Sequence, residues 1–372
     1  MNHDELYSEA NALHQAGQLD PAVEKYRQLL QENPENAAAW CRLGQIYLMQ
    51  EQPEEAQEAF EQSLDLDPSS VVACYFLGLA LEKTGYLQQA IQAYTDAITQ
   101  NLAHTSIQNT SQSTEQKQAI LSAYNQRGGL FLELGDLDSA MLDYQTAIQL
   151  DSTESVSYLN LGNLHLSCLQ LQNYRTETEG ISNAIKTYQR GLSLNPNHPD
   201  LLYQLGIAFT VDQDELQANF SLGSAAYYRG QYSVAIEHYR RTLDRKILAT
   251  CLATREVYSN LADCYEKLEQ YDLAIQVYQA GLEHYPEAIE LYECWILGLQ
   301  SRGNIQAATA VAEQAIQKFP DNISLQLINQ RLLPVLYETV EEIRFYRNRF
   351  SQRLEALLKR FKINPEKFSR DI

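Results

Sequence analysis

Apolar residues recur along this chain at steps of three and four, the spacing that lines one face of an α-helix. β-Branched residues do not gather into alternating runs, so the pattern predicts helices throughout and no sheet. The helical blocks come in pairs, and the pairs recur with a period of 34 residues. Residues 37–70 show the unit best. Trp40, Leu43, Tyr47 and Phe60 make its apolar stripe, while Gly44 and Ala56 are small enough for two helices to meet closely. Pro68 cannot continue the second helix and ends it.

The same grid fits residues 3–36, 71–104, 121–154, 155–198, 216–249, 255–288 and 289–322, which makes eight helical pairs. Small residues return at the eighth position as Ala10, Gly78, Gly128, Gly162, Gly223 and Ala262. Aromatic residues return at the twenty-fourth as Tyr26, Tyr94, Tyr144, Tyr239 and Tyr278. The departures also carry information. Residues 105–120 are a polar insertion in which Ser113 and Gln116 form a capping-box pattern, so the next helix should start near Thr114. A second insertion falls near Gln170–Ser182. Residues 199–215 supply Leu202, Leu205, Gly206 and Phe209, a first helix without a second of its own. The expected organisation is therefore 1–104 (three repeats), 105–120 (insertion), 121–322 (five repeats and the half repeat) and 323–372 (a junction and a capping helix).

Composition sharpens this picture in three ways. A net charge of −20 argues against nucleic acid as a partner, because phosphate binding needs clustered cations. Cys41, Cys74, Cys168, Cys251, Cys264 and Cys294 are scattered without a C-x-x-C pair, which fits thiols in a reducing compartment. The first residues carry neither a basic n-region nor an apolar stretch, and no run of about 18 apolar residues exists to span a membrane. A cytoplasmic location is expected. No catalytic, metal-binding or cofactor-binding constellation stands out. The seven His lie apart, and the glycines sit at packing and turn positions rather than in a phosphate loop. The chain alone is expected to have no enzymatic activity and not to bind a UDP-sugar.

On these positions the chain resembles the tetratricopeptide-repeat (TPR) family. The resemblance implies an all-α TPR solenoid, a right-handed superhelix of antiparallel helix pairs, with client peptides bound on the concave face. That face is lined by positions 2, 5, 6, 9, 12 and 13 of each first helix. Candidate peptide-binding residues are therefore Arg42, Gln45, Gln126, Asn160, Asn163, Gln204, Asn260 and Asp263. Position 5 holds no Lys, so the family's carboxylate clamp for chaperone tails is missing. Position 6 keeps Asn only at Asn160 and Asn260, so an asparagine ladder that grips peptide backbone is broken.

After Pro320 the chain changes character. Residues 338–372 hold nine Lys or Arg against six Asp or Glu, opposite in sign to the rest. Ile343, Phe350, Leu354, Leu357 and Phe361 fall on one face of a long amphipathic helix, with Arg347 beside them, and form a candidate interface. Part of this stripe should cover the end of repeat 289–322, and the remainder should drive homodimerisation or recruit another domain. Leu333, Pro334, Tyr337, Glu342, Ile343, Arg347, Arg349 and Phe350 resemble the junction of bacterial SPINDLY-like O-linked GlcNAc transferases. In that family the stretch leads into a glycosyltransferase catalytic domain, none of whose residues has a counterpart here. Three functions follow as expectations: a protein-binding adaptor, the substrate-recruiting part of such a transferase, or a complex-assembly factor.

Overall fold

A computed structural model of the chain describes residues 3–107, 113–170, 177–244, 252–333 and 339–363. Among the described residues there are nineteen helices and no strand. The helices group into two compact units, Met1–Pro196 and Asn197–Ile372.

The first unit holds α1 (His3–Gln15), α2 (Leu19–Glu32), α3 (Ala37–Met49), α4 (Pro53–Leu66) and α5 (Val71–Lys83). It continues with α6 (Leu87–Ile107), α7 (Thr114–Glu133), α8 (Leu137–Leu150), α9 (Ser155–Gln170) and α10 (Glu177–Leu194). Each odd helix pairs with the even helix after it, and α3, α5, α7 and α9 also touch in succession. The contact inside a pair is set by the glycine at position 8. A Cβ added at Gly44 would lie 2.7 Å from the Phe60 ring, and one at Gly128 would lie 2.8 Å from Tyr144. The aromatic ring fills the space that a side chain would otherwise occupy.

Helix α7 begins at Thr114 under the expected capping box. Ser113 Oγ accepts from the Gln116 amide at 3.2 Å, and the Gln116 side chain accepts in return from the Ser113 amide. The polar insertion is consequently helical at both ends, at 105–107 and 114–120; residues 108–112 lie outside the described residues.

The second unit holds α11 (Pro199–Val211), α12 (Glu215–Tyr228), α13 (Tyr232–Asp244), α14 (Leu252–Lys267) and α15 (Tyr271–His284). It ends with α16 (Ile289–Ser301), α17 (Ile305–Lys318), α18 (Ile323–Arg331) and α19 (Val340–Ile363). The half repeat finds its partner here. Helix α12 packs on α11 as a second helix and on α13 as a first helix. Gly206 abuts Leu222 just as Gly223 abuts Tyr239, so two 34-residue grids overlap across α12. Buried Ala218 and Ala225 complete the earlier grid at its positions 20 and 27.

The end of the array is closed differently from the sequence expectation. A short helix, α18, packs on α17, capped by the Asn322 side chain accepting from the Leu325 amide at 2.9 Å. Leu325, Leu332 and Tyr346 join Ile296, Leu299 and Val311 in one apolar cluster. Arg349 fastens α19 by donating to the Leu332 carbonyl at 3.0 Å, Asn329 at 2.8 Å and Thr309 at 3.0 Å. Ile343 and Phe350 are 46% and 38% exposed, so the face that docks carries Tyr346 and Arg349 instead. Trp295 is screened within the repeats, stacked 6.0 Å from Tyr278. The side chains of Leu354, Leu357 and Phe361 lie outside the described residues.

Candidate peptide-binding groove

In the first unit, four of the candidate residues on the first helices, Arg42, Gln45, Asn160 and Asn163, are tied to one another or to neighbouring helices. Arg42 on α3 grips Glu115 on α7 with two hydrogen bonds, at 2.7 and 2.8 Å, and also donates to Gln45 at 2.9 Å. The bonds from Arg42 hold the Glu115 carboxyl below its usual range. Asn163 accepts from the Tyr188 hydroxyl at 2.7 Å. Asn160 donates to Asn125 at 3.3 Å, and Asn125 donates to Ser157 at 2.9 Å and to the Leu121 carbonyl at 3.1 Å. Gln126 is half-buried on α7.

Arg127 makes the pattern stronger. It stands at position 7, where the repeat calls for an apolar residue, and meets Asp143 through bonds of 2.7 and 2.8 Å. The two side chains are only 15% and 4% exposed. Thr95 accepts a third bond at 2.9 Å, and the guanidinium lies 5.6 Å from the rings of both Tyr124 and Phe131. A buried charge in this state is fully paired.

The second unit is arranged otherwise. Gln204 is half-buried on α11, and Asn260 reaches the Tyr239 hydroxyl only at 3.4 Å. Asp263 accepts from Tyr227 at 2.6 Å. Asn260 and Asp263 open onto a groove of about 600 Å³ between α12, α14 and α16. Its walls include Tyr227, Tyr278, Cys294, Leu297, Gly298 and Arg302. Sequence reasoning missed its most telling residue, Glu266, at position 12 of the 255–288 repeat, on α14.

The Glu266 carboxylate lies against the backbone of α16 because Gly298 has no Cβ; an added one would collide with both carboxylate oxygens. Its Oε1 is buried with no hydrogen-bond partner, and burial raises its pKa above the ordinary 4.5 despite the opposing pull of Arg302. Arg302 is held by other contacts: its guanidinium stacks 4.3 Å from the Tyr271 ring and donates through Nε to the Gly298 carbonyl at 2.9 Å. Its Nη2 is likewise buried without a partner. The missed signal was legible in part, since position 12 faces the groove and a Glu there is visible in the sequence. What the pattern could not show is that Gly298 lets the carboxylate sink.

Of the cysteines among the described residues, Cys41, Cys74, Cys168 and Cys264 are buried and free, and Cys294 is free and exposed on the groove. No helix among the described residues is long and apolar enough to cross a membrane.

Family models for the tetratricopeptide repeat match residues 7–71, 41–102, 121–154 and 214–287, together more than half of the chain. Among similar proteins, the Hsp70-Hsp90 organizing protein of Triticum aestivum is 24% identical over 250 residues, covering 64% of this chain and 41% of the relative. The TPR repeat-containing protein MJ1428 of Methanocaldococcus jannaschii is 21% identical over 353 residues, covering 87% and 57%. The chain thus spans roughly half the length of these relatives. Among solved structures, MamA superposes with a TM-score of 0.41 at 22% identity, covering 50% of this chain and 94% of MamA. YrrB, described as a TPR protein with an unusual peptide-binding site, gives 0.40 at 15% identity, covering 59% and 99%. The matches fall on the repeats and lend no support to the glycosyltransferase-junction resemblance. With repeat models on both units and the glycine–aromatic packing inside their pairs, the chain belongs to the tetratricopeptide-repeat family.

Proposed function

We propose that this chain is a protein-interaction scaffold, and that the groove between α12, α14 and α16 holds an extended peptide segment of a client protein. The observation that carries the reading is the groove itself, an open trough of about 600 Å³ with polar and aromatic walls drawn from three first helices and from α15. Stacked repeats commonly present such a surface to extended segments. The wheat relative, named for organising Hsp70 and Hsp90, is in keeping with an adaptor role. We assign no chemistry to the chain, and a cytoplasmic setting rests only on its unpaired thiols.

A finer role, recruiting substrates for a glycosyltransferase domain, would rest on the resemblance in residues 332–358 alone. Within that stretch Arg349 fastens α19 to Thr309 of the last repeat and to Asn329 and Leu332 after it, a packing duty that accounts for it without a partner domain. The adaptor reading is therefore preferred.

Selection of random dodecapeptides on the chain, followed by calorimetry of the enriched sequences, tests the proposal. Leu297 is exposed on the groove, so Leu297→Arg should obstruct it without unfolding the chain and weaken those peptides at least tenfold. Unchanged affinity would place the binding surface elsewhere.

A further inference from the structure

We infer that the groove around Glu266 receives a basic side chain, Lys or Arg, projecting from the client segment. This rests on the proposed peptide-binding role and adds what the groove selects.

Three observations point the same way. First, Glu266 is half-buried with Tyr278 as a hydrogen-bond partner, yet its Oε1 is buried with none, and a carboxylate so placed favours a counter-charge. The nearby cation, Arg302, is pinned to Tyr271 and to the Gly298 carbonyl. Second, the local field is negative. Cys294, which lines the groove, feels Glu293, Asp263, Glu266 and Glu290, all of which raise its thiol pKa in addition to the larger effect of desolvation by the surrounding helices. Third, the walls are aromatic where they are not acidic. Tyr227, half-buried beside Asp263, lines the trough, and a ring next to an anion suits an ammonium or guanidinium group; Tyr278 is buried against Trp295 and adds only its hydroxyl. Arg302 over Tyr271 is an internal example of that pairing.

The charged and titratable groups facing Glu266 are Asp263 and Lys267 on α14, Tyr271 and Tyr278 on α15, Cys294 and Arg302 on α16, and Tyr227 on α12. Lys267 is exposed and Arg302 is engaged with Tyr271 and the Gly298 carbonyl, so the trough holds two carboxylates against one cation already in use. A bound cation stabilises the ionised form of Glu266, so binding releases a proton wherever Glu266 is still protonated in the free chain. Affinity should therefore rise with pH through the range in which Glu266 ionises and then level off.

The probe is a series of neutral Ser/Gly/Ala nonapeptides whose central residue is Arg, Lys, citrulline, norleucine or Glu, titrated calorimetrically into the full chain. The Arg and Lys peptides should bind at least tenfold more tightly than the citrulline, norleucine and Glu peptides. Glu266→Gln should abolish that preference while keeping the fold by circular dichroism. Gly298→Ala, which displaces the carboxylate, should do the same. Equal binding across the series, or a preference for Arg and Lys that survives Glu266→Gln, overturns the inference and leaves the peptide-binding role standing. Failure of every nonapeptide to bind also overturns it. The role itself is then judged separately by the selected dodecapeptides, whose loss of binding in Leu297→Arg would still uphold it.

Discussion

The two units treat their polar residues in opposite ways. In the first, groups on the first helices bond to one another, Arg42 to Glu115 and Asn160 to Asn125, and Arg127 on α7 bonds to Asp143 on its partner helix α8. In the second, Glu266 and Arg302 stand within one groove, and each has a buried atom without a hydrogen-bond partner. The same repeat frame thus supports a face that is internally satisfied and a face that is not. An unpaired buried polar atom is expensive, and in this groove two of them fall among charged side chains open to the trough.

The contrast can be broken most severely in the first unit. Asp143→Ala strands the Arg127 guanidinium in the interior and should destabilise the chain by ~3–5 kcal/mol in urea unfolding. Arg127→Leu with Asp143→Ala should recover much of that loss, because no buried charge is then left alone. A single variant as stable as the parent would mean that the pair is not buried as described. Next in size, Gly128→Leu drives a side chain into the Tyr144 ring and should cost about 1–3 kcal/mol or more, read as a lower melting temperature.

In the second unit the sign reverses. Glu266→Gln removes a desolvated charge and should stabilise the chain by up to about 1 kcal/mol at pH 8. Below pH 4.5, the ordinary value, Glu266 is protonated in both folded and unfolded chains and the variant should gain nothing from this source. The gain should appear as pH rises through the raised folded-state value. A stability difference independent of pH would contradict the burial of this carboxylate. The smallest effect concerns a turn. Gln213 has a left-handed backbone (φ 63°) where other repeats place glycine, such as Gly230 (φ 73°). Gln213→Gly should therefore raise stability by less than about 1 kcal/mol, measurable as a small shift in the denaturation midpoint.

Much of the architecture was legible because it depends on residue size at fixed spacing. Gly44 with Phe60 and Gly128 with Tyr144 announce close helix pairs, and Ser113 with Gln116 announces where α7 starts. The partner of α11 was obscured because Leu222 stands where most repeats have an aromatic residue, and because α12 was already assigned to the following grid. The closing helix α18 was hidden by the long stripe after it, whose Ile343 and Phe350 face outward. The candidate face was legible in the sequence only as a set of positions. The sequence could not show which of those positions were already occupied: whether Arg42 meets Glu115 or Glu266 lacks a counter-charge depends on helices many residues apart.

Hydrogen–deuterium exchange with a selected peptide bound tests the central claim most directly, because it reads both units in one experiment. The account predicts slowed exchange in residues 215–228, 252–267 and 289–302, around the groove, with residues 37–49 and 114–133 unchanged. Protection confined to residues 37–49 and 114–133 would contradict it, since the client would then be held by the face whose polar groups are bonded to one another.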